Sequence, residues 1–231
     1  MVAYKYAYYL LRGLFRPVLQ GLFQFEVQGL ENIAPDESGV IIAGNHTGYL
    51  DGAIVLAAYP HAFRFLVREE VLGWRLVGPC VQHANTLILR NSRLKGILEE
   101  LSKVLEQGAH LCIFPEGCLS VDGSIGVFND GVAFLQEKTN VPIVPFAICG
   151  GFEAWPEGRR WPRFRKISLR FGEPLAPGLH HRREVTEILR SRVIQLKMQL
   201  ETAEADLQIK SQPRCQMPVQ KVWCLLMANR H

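Results

Sequence analysis

Val40-Ile41-Ile42-Ala43-Gly44-Asn45-His46-Thr47-Gly48-Tyr49-Leu50-Asp51-Gly52-Ala53-Ile54-Val55-Leu56-Ala57-Ala58-Tyr59 decides the fold. Its first residues, Val40 to Ala43, are an unbroken apolar run closed by Gly44. This is the signature of a strand buried on both faces, as in a parallel sheet. Its last residues, Asp51 to Tyr59, are small and apolar throughout with an acidic start, which predicts a buried helix with Asp51 as its N-cap. The intervening turn carries His46 at the end of a strand, where open α/β sheets gather their sites.

The same alternation continues outward. Ala62 to Val67, Thr86 to Leu89, Leu111 to Phe114, Val141 to Ile148 and Arg165 to Phe171 read as strands. Ser92 to Gln107 reads as a helix, with Ser92 as cap, Leu94, Ile97, Leu98, Leu101, Val104 and Leu105 on one face, and Gly108 as stop. Asp130 to Lys138 and a long closing segment from Arg183 to about Leu207 are further helices. Strands alternating with helices predict an α/β fold, a mostly parallel central sheet flanked by helices. Beyond Ile209, with Pro213 and Pro218, the pattern turns irregular. The expected organisation is residues 1–24, an amphipathic membrane-associating element; 25–208, the α/β domain; and 209–231, an irregular tail.

Residues 2–16 have helical periodicity, with Pro17 kinking or ending the helix before a short segment from Val18 to Phe25. At about 100° per residue, Lys5, Arg12 and Arg16 fall within roughly 40° of one another, beside an arc of Tyr4, Tyr8, Leu11, Leu14, Phe15 and Val18. A basic stripe next to aromatic and aliphatic side chains suits the interface of an anionic membrane. A helix packed on its own domain has the same pattern. No uncharged apolar stretch reaches the roughly 18 residues of a spanning helix. The charges at Lys5, Arg12 and Arg16 and the lack of a small-residue cleavage site argue against a signal peptide.

Composition narrows the class. The 231 residues can bury a full core, and 48% hydrophobic with 21% charged residues is a globular balance. A net charge of +4 is too small to argue for nucleic acid. Cys80, Cys112, Cys118, Cys149, Cys215 and Cys224 form no CxxC pair and no metal-ligand spacing, which fits reduced thiols facing the cytosol. There is no P-loop, no GxGxxG and no GxSxG elbow.

His46 can take a proton from an alcohol near neutral pH, and a carboxylate such as Asp51 on its other ring nitrogen fixes the tautomer. The spacing alone fits a capped turn equally well. Glu116, in Phe114-Pro115-Glu116-Gly117, stands after an apolar run on a Pro/Gly turn, where it can face a pocket or solvent. Arg90 ends a strand and can pair bidentately with a phosphate, or stand exposed. Arg159, Arg160, Arg163, Arg165, Lys166 and Arg170 are interleaved with Trp155, Trp161 and Phe164, a pattern that serves a lipid headgroup layer, nucleic acid or a solvated strand face. With the cationic N-terminal helix, the lipid reading is the more economical.

In order, Asn45-His46 with Asp51, Arg90, Phe114-Pro115-Glu116-Gly117 and Val141-Pro142-Ile143-Val144-Pro145 resemble the motif blocks of the glycerolipid acyltransferase family, which includes 1-acylglycerol-3-phosphate acyltransferases. Val27 to Ile33 and Arg170-Phe171-Gly172-Glu173-Pro174 are similar to it too, and the resemblance covers roughly residues 24–175. It implies transfer of a fatty acyl group from acyl-CoA or acyl-carrier protein to a lysophospholipid hydroxyl on the cytoplasmic face of a membrane, with no cofactor or metal. His46 would be the general base and Asp51 its partner. Asn45, Arg90, Phe114, Pro115, Glu116 and Gly117 would meet the acceptor, and Pro142 and Pro145 would line the acyl or acceptor pocket. Two blocks depart from the phosphatidate-forming pattern. Cys118-Leu119-Ser120 stands where Thr-Arg-Ser is usual, and Asn129-Asp130 stands where a lysine commonly precedes the glycine matched by Gly131. Two cations near the acceptor are therefore missing, and Phe128-Asn129-Asp130-Gly131 looks more like the branch that acylates lysophosphatidylethanolamine.

Overall fold

The computed structural model describes residues 2–35, 38–73, 86–89, 94–178 and 181–211. The expectations for Arg90, for Ser92 as a cap and for residues 212–231 lie outside the described residues. Two compact units divide the chain, residues 1–200 and 201–231.

In the first unit, helix α1 (Val2–Phe23) leads into β1 (Glu26–Gln28) and a 3-10 turn (Leu30–Asn32). Then follow β2 (Ile41–Gly44), α2 (Asp51–Ala58), β3 (Phe63–Arg68), a 3-10 turn (Glu69–Gly73), β4 (Leu87–Leu89) and α3 (Leu94–Glu106). The rest is β5 (His110–Ile113), α4 (Gly131–Thr139), β6 (Ile143–Cys149), the single turn α5 (Gly151–Ala154), β7 (Ser168–Phe171) and α6 (Arg182–Ser211). Residues 201–211 of α6 are the described part of the second unit.

Among the described residues seven strands form one sheet in the order β1-β7-β6-β2-β5-β3-β4. Neighbours are parallel except β6 and β7, which run antiparallel. The expected α/β architecture is what the chain adopts. Strand β2 lies at its centre, in register with β5 (Ala43↔Ile113) and β6 (Gly44↔Phe146). Its residues alternate between faces. Ile42 joins a core with Val55, Tyr59, Phe63, Phe146 and Phe171, under α1 and α2. Ile41 and Ala43 join the opposite core with Leu101, Leu135, Leu189 and Val193, from α3, α4 and α6. Both cores are fully buried at their centres, each large side chain contributing about 1.5–3 kcal/mol.

Three local expectations are corrected. First, of the two outcomes expected at Pro17, a kink or an end, the end does not occur: α1 runs through Pro17 to Phe23. The flanking residues are held on the core: Tyr8, Leu19 and Phe23 are buried, and the Tyr8 hydroxyl donates to the Tyr59 carbonyl at 3.1 Å. This anchoring outweighs the hydrogen bond proline removes. Second, the core divides the apolar arc of α1 into two adjacent rows. Tyr8, Leu11, Phe15, Leu19 and Phe23 pack inward, while Tyr6, Leu10, Leu14, Val18 and Leu22 stand exposed on the neighbouring strip, about 100° round the helix. Third, Asp51 is the first residue of α2 and not its cap. Leu50 occupies the cap position, because the Asp51 carboxylate is turned back into the preceding turn.

No helix among the described residues is long and apolar enough to cross a membrane.

Candidate active site

The carboxyl ends of β2 and β5 lie side by side at the middle of the sheet, where the chain departs to opposite sides. Residues 45–51 follow β2, and residues 114–117 follow β5. The topology thus brings together two sequence blocks that lie some 65 residues apart.

Asp51 is fully buried and organises the first turn. One oxygen, Oδ2, accepts from His46 Nδ1 at 2.9 Å, from the Gly48 amide at 2.9 Å and from the Thr47 amide in a very short contact. The other, Oδ1, accepts from the Thr47 hydroxyl at 3.0 Å. A carboxylate so surrounded by donors is held in one orientation, and it fixes Nδ1 of the imidazole as the bonded nitrogen. His46 Nε2 is left for substrate, with the side chain about a quarter exposed (26%). Space for this network depends on Gly151, where a Cβ would collide with Thr47 Oγ1 and stand 3.0 Å from Asp51 Oδ1.

The second block clamps the same histidine. Phe114 stacks on the imidazole with centroids 4.0 Å apart and planes 12° from parallel. Glu116 Oε1 accepts the His46 amide at 2.9 Å, and the His46 carbonyl accepts from the Ser120 amide at 2.8 Å. Glu116 Oε2 accepts the Gly126 amide at 2.9 Å. His46 is therefore fixed at its ring edge, its ring face, its N–H and its C=O.

The turn itself is braced from below. Gly117 has φ +73°, a conformation that favours glycine, and its amide reaches the Phe114 carbonyl at 3.1 Å. The buried Pro115 offers its carbonyl to both the amide and the side chain of Asn129, each at 2.9 Å. Asp130 accepts from the Thr186 hydroxyl at 2.8 Å, and Arg190 donates to the carbonyls of Gly126 (2.7 Å) and Ile125 (3.2 Å). The two residues that stand in place of a cation thus serve the loop's own structure.

His46, Asp51, Phe114, Pro115, Glu116 and Gly117 converge as the sequence predicts, but several roles shift. Asn45, expected to meet substrate, is fully buried, and its amide donates to the Ile148 carbonyl (2.9 Å) and accepts from the Ile148 amide (2.8 Å). Pro142 and Pro145 do not line this site. Pro142 accepts the amide of Ile41, at the opposite end of β2 from His46, and Pro145 lies within β6 beside Gly172 and Leu196. Pro145 stands just outside the β6–β7 ladder, which begins at Phe146↔Phe171, so its missing N–H costs no bond there. Thr47, Gly126, Gly151 and Arg190 were not legible as parts of the site, nor was the bracing by Ser120 and Asn129, which the sequence marks only as departures in the acceptor blocks; only the consecutive glycines 150–151 hint at a close approach.

Burial pushes the Cys112 thiol well above its usual range, and the nearby Asp51 charge adds to this. Among the described residues no cluster of His, Cys, Asp and Glu could hold a metal ion.

The family model described as Acyltransferase matches residues 24–149. The chloroplastic 1-acyl-sn-glycerol-3-phosphate acyltransferase BAT2 of Brassica napus is 26% identical over 139 residues, covering 59% of this chain and 40% of that protein. The 1-acyl-sn-glycerol-3-phosphate acyltransferase of Neisseria gonorrhoeae is 33% identical over 120 residues, 50% of this chain and 46% of that protein. The chain thus spans less than half the length of these curated relatives. The crystal structure of the 1-acyl-sn-glycerophosphate (LPA) acyltransferase PlsC from Thermotoga maritima superposes with TM-score 0.71 at 28% identity, covering 84% of this chain and 81% of that one.

Proposed function

From the premise that the chain belongs to the acyltransferase family, we propose that it moves a fatty acyl group from a thioester donor, acyl-CoA or acyl-carrier protein, to the free hydroxyl of a membrane lysophospholipid. The acceptor favoured by its relatives' names is 1-acylglycerol-3-phosphate. The single observation that carries the reading is the His46–Asp51 pair, with no nucleophilic side chain bonded to the open nitrogen among the described residues.

A base without its own nucleophile implies that the attacking oxygen is the substrate's. His46 Nε2 takes the proton of the acceptor hydroxyl as its oxygen attacks the thioester carbonyl. Asp51 stabilises the imidazolium that forms. Collapse of the tetrahedral intermediate breaks the C–S bond, and the departing thiolate receives the proton from His46. The scheme needs no metal or cofactor. The exposed apolar row of α1 supports a peripheral seat on the membrane that holds the acceptor, and the free thiols of Cys112, Cys118 and Cys149 favour the cytoplasmic face.

A second acceptor reading is favoured by Asn129 and Asp130. They brace the turn where a cation would meet a phosphomonoester, which points to a lysophospholipid whose phosphate is a diester, such as lysophosphatidylethanolamine. The test is thiol release from acyl-CoA and from acyl-carrier protein with glycerol-3-phosphate, lysophosphatidate, lysophosphatidylethanolamine and a lyso-glycolipid in turn. Acceptor-dependent release with a lysophospholipid is expected. Release without any acceptor would make the chain a thioesterase, and no release at all would leave it a lipid-binding relative.

A further inference from the structure

The surface segment between α5 and β7 takes no part in the chemistry above, yet it is built like a docking element. Trp161 and Phe164 are 66% and 67% exposed, which is unusual for rings of this size. Arg160, Arg163 and Arg165 surround them and are exposed as well, with the Arg160 guanidinium 5.8 Å from the Trp161 ring centre. Lys166 is engaged by Glu26 at 2.9 Å, so the segment's outward charge is arginine.

The segment is held firmly at both ends. The Arg163 amide donates to the Ala154 carbonyl (2.8 Å), Trp155 Nε1 to the Arg159 carbonyl (2.9 Å), and the Ile167 amide to the Phe23 carbonyl (2.9 Å). Two contacts give its position meaning. Phe164 packs edge-on against Phe23 at 5.6 Å, at the end of α1, next to the exposed row that closes with Leu22. On the other side, the Tyr49 amide donates to the Trp155 carbonyl (3.0 Å) and its ring meets Trp155 at 5.8 Å. Tyr49 is three residues from His46. One short segment therefore joins the C-terminal end of α1 to the turn that carries the base.

We propose that residues 159–165 are a second bilayer-docking element, which seats Trp161 and Phe164 in the interface of an anionic phospholipid membrane and places Arg160, Arg163 and Arg165 on lipid phosphates. Trp is favoured at bilayer interfaces, and arginine pairs bidentately with phosphate. An acidic protein or a nucleic acid would also be drawn to the charge. Two exposed rings, one of them packed on Phe23 beside the exposed Leu22 of α1, favour a bilayer. Together the two surfaces hold the His46 turn at headgroup depth. The proposal rests on the reading of the acceptor as a membrane lysolipid.

The test is sedimentation of the full chain with vesicles of phosphatidylcholine, alone or with about one third phosphatidylglycerol, at two salt concentrations. Each arginine near an anionic surface is worth about fivefold in affinity, so Arg160→Gln/Arg163→Gln/Arg165→Gln is expected to lose about 100-fold on anionic vesicles and little on neutral ones. Trp161→Ser/Phe164→Ser is expected to weaken binding to both. Turnover of a short-chain acceptor dispersed in solution stays at the wild-type level in each variant. As a check independent of those substitutions, quenching of tryptophan emission by lipids brominated on their acyl chains should fall in Trp161→Phe. Wild-type vesicle binding by both multiple variants, or unchanged quenching in Trp161→Phe, overturns the proposal. So does an arginine variant that binds vesicles normally but loses acyl-carrier protein. A wild-type chain that binds vesicles through these residues but acylates no acceptor would sink the acyl-transfer reading and leave the docking surface standing.

Discussion

Glu116 grips His46 by its backbone: one carboxylate oxygen accepts the His46 amide at 2.9 Å while the other accepts the Gly126 amide at the same distance. Both oxygens are engaged inside the protein, so Glu116 is a positioning residue rather than a hand for the acceptor. Glu116→Gln places an amide NH2 against one of two backbone donors and loosens the clamp. Misplacing a catalytic group by about 1 Å costs on the order of 10²-fold. The expected result is a fall of kcat of that order with the acceptor's KM little changed. A rise in KM at constant kcat would instead make Glu116 an acceptor ligand.

His46→Ala removes the base while leaving Asp51 its contacts with Thr47 and Gly48. Acyl transfer is expected to drop on the order of 10²–10⁴-fold. Single-turnover thiol release with a lysophospholipid measures it, and wild-type transfer would dismiss the mechanism.

Asp51→Asn should harm both activity and stability. An Asn can keep its carbonyl oxygen toward His46 Nδ1 and the amides of Thr47 and Gly48 and turn its NH2 to the Thr47 hydroxyl, but those three bonds then lose their charged acceptor. Hydrogen bonds to a charged group are worth about 1.5–3 kcal/mol against about 1 kcal/mol for neutral ones. For a chain of this size each kcal/mol lowers Tm by about 2–4 °C. Calorimetry beside kinetics separates the two losses, and an unaltered Tm would contradict the hydrogen-bond assignment.

Gly151→Ala tests the packing behind the pair. The added methyl meets the Thr47 hydroxyl and the Asp51 carboxylate. Overpacking costs about 1–3 kcal/mol, so a lower denaturation midpoint and a reduced kcat are expected together. A neutral outcome would mean that the turn shifts freely.

Alkaline pH should destabilise the fold through two core groups. Burial raises Tyr8 above its ordinary range, with the Arg12 charge opposing it, and burial together with Asp51 raises Cys112. Above about pH 9–10 the unfolded chain loses these protons while the folded chain keeps them. The unfolded state then binds fewer protons, so stability falls as pH rises, by at most about 1.4 kcal/mol per pH unit for each group. Stability is complete below that window. Denaturant unfolding from pH 7 to 11 checks the sign, and Cys112→Ala should remove part of the slope.

The fold was legible because its signal is short-range. The run Val40 to Ala43 is apolar on both faces, and it lies between two cores. The meeting of residues 45–51 with 114–117 was legible as a sequence pattern, and parallel pairing of β2 with β5 supplies its physical cause. What stayed hidden is the division of labour. Sequence marks Asn45, Pro142 and Pro145 as part of the blocks, but only register shows that Asn45 faces Ile148, that Pro142 precedes β6 and that Pro145 lies early in it. The bracing by Ser120, Asn129 and Arg190 depends on loop and helix placements with no periodic signature. The two rows of α1 were read as one because a helical wheel shows which side chains share a face, not which face meets the core.

The amide of Asn45 impersonates a peptide group. By giving one hydrogen bond to Ile148 and taking one back, it adds a rung to the β2–β6 ladder beyond the point where strand backbone ends. A one-residue slip of β2 would bring that side chain opposite a different residue and carry Ile42 to the wrong core. The motif that begins the site therefore also works as a registration pin for the centre of the sheet, so that misalignment and loss of the base become one and the same event.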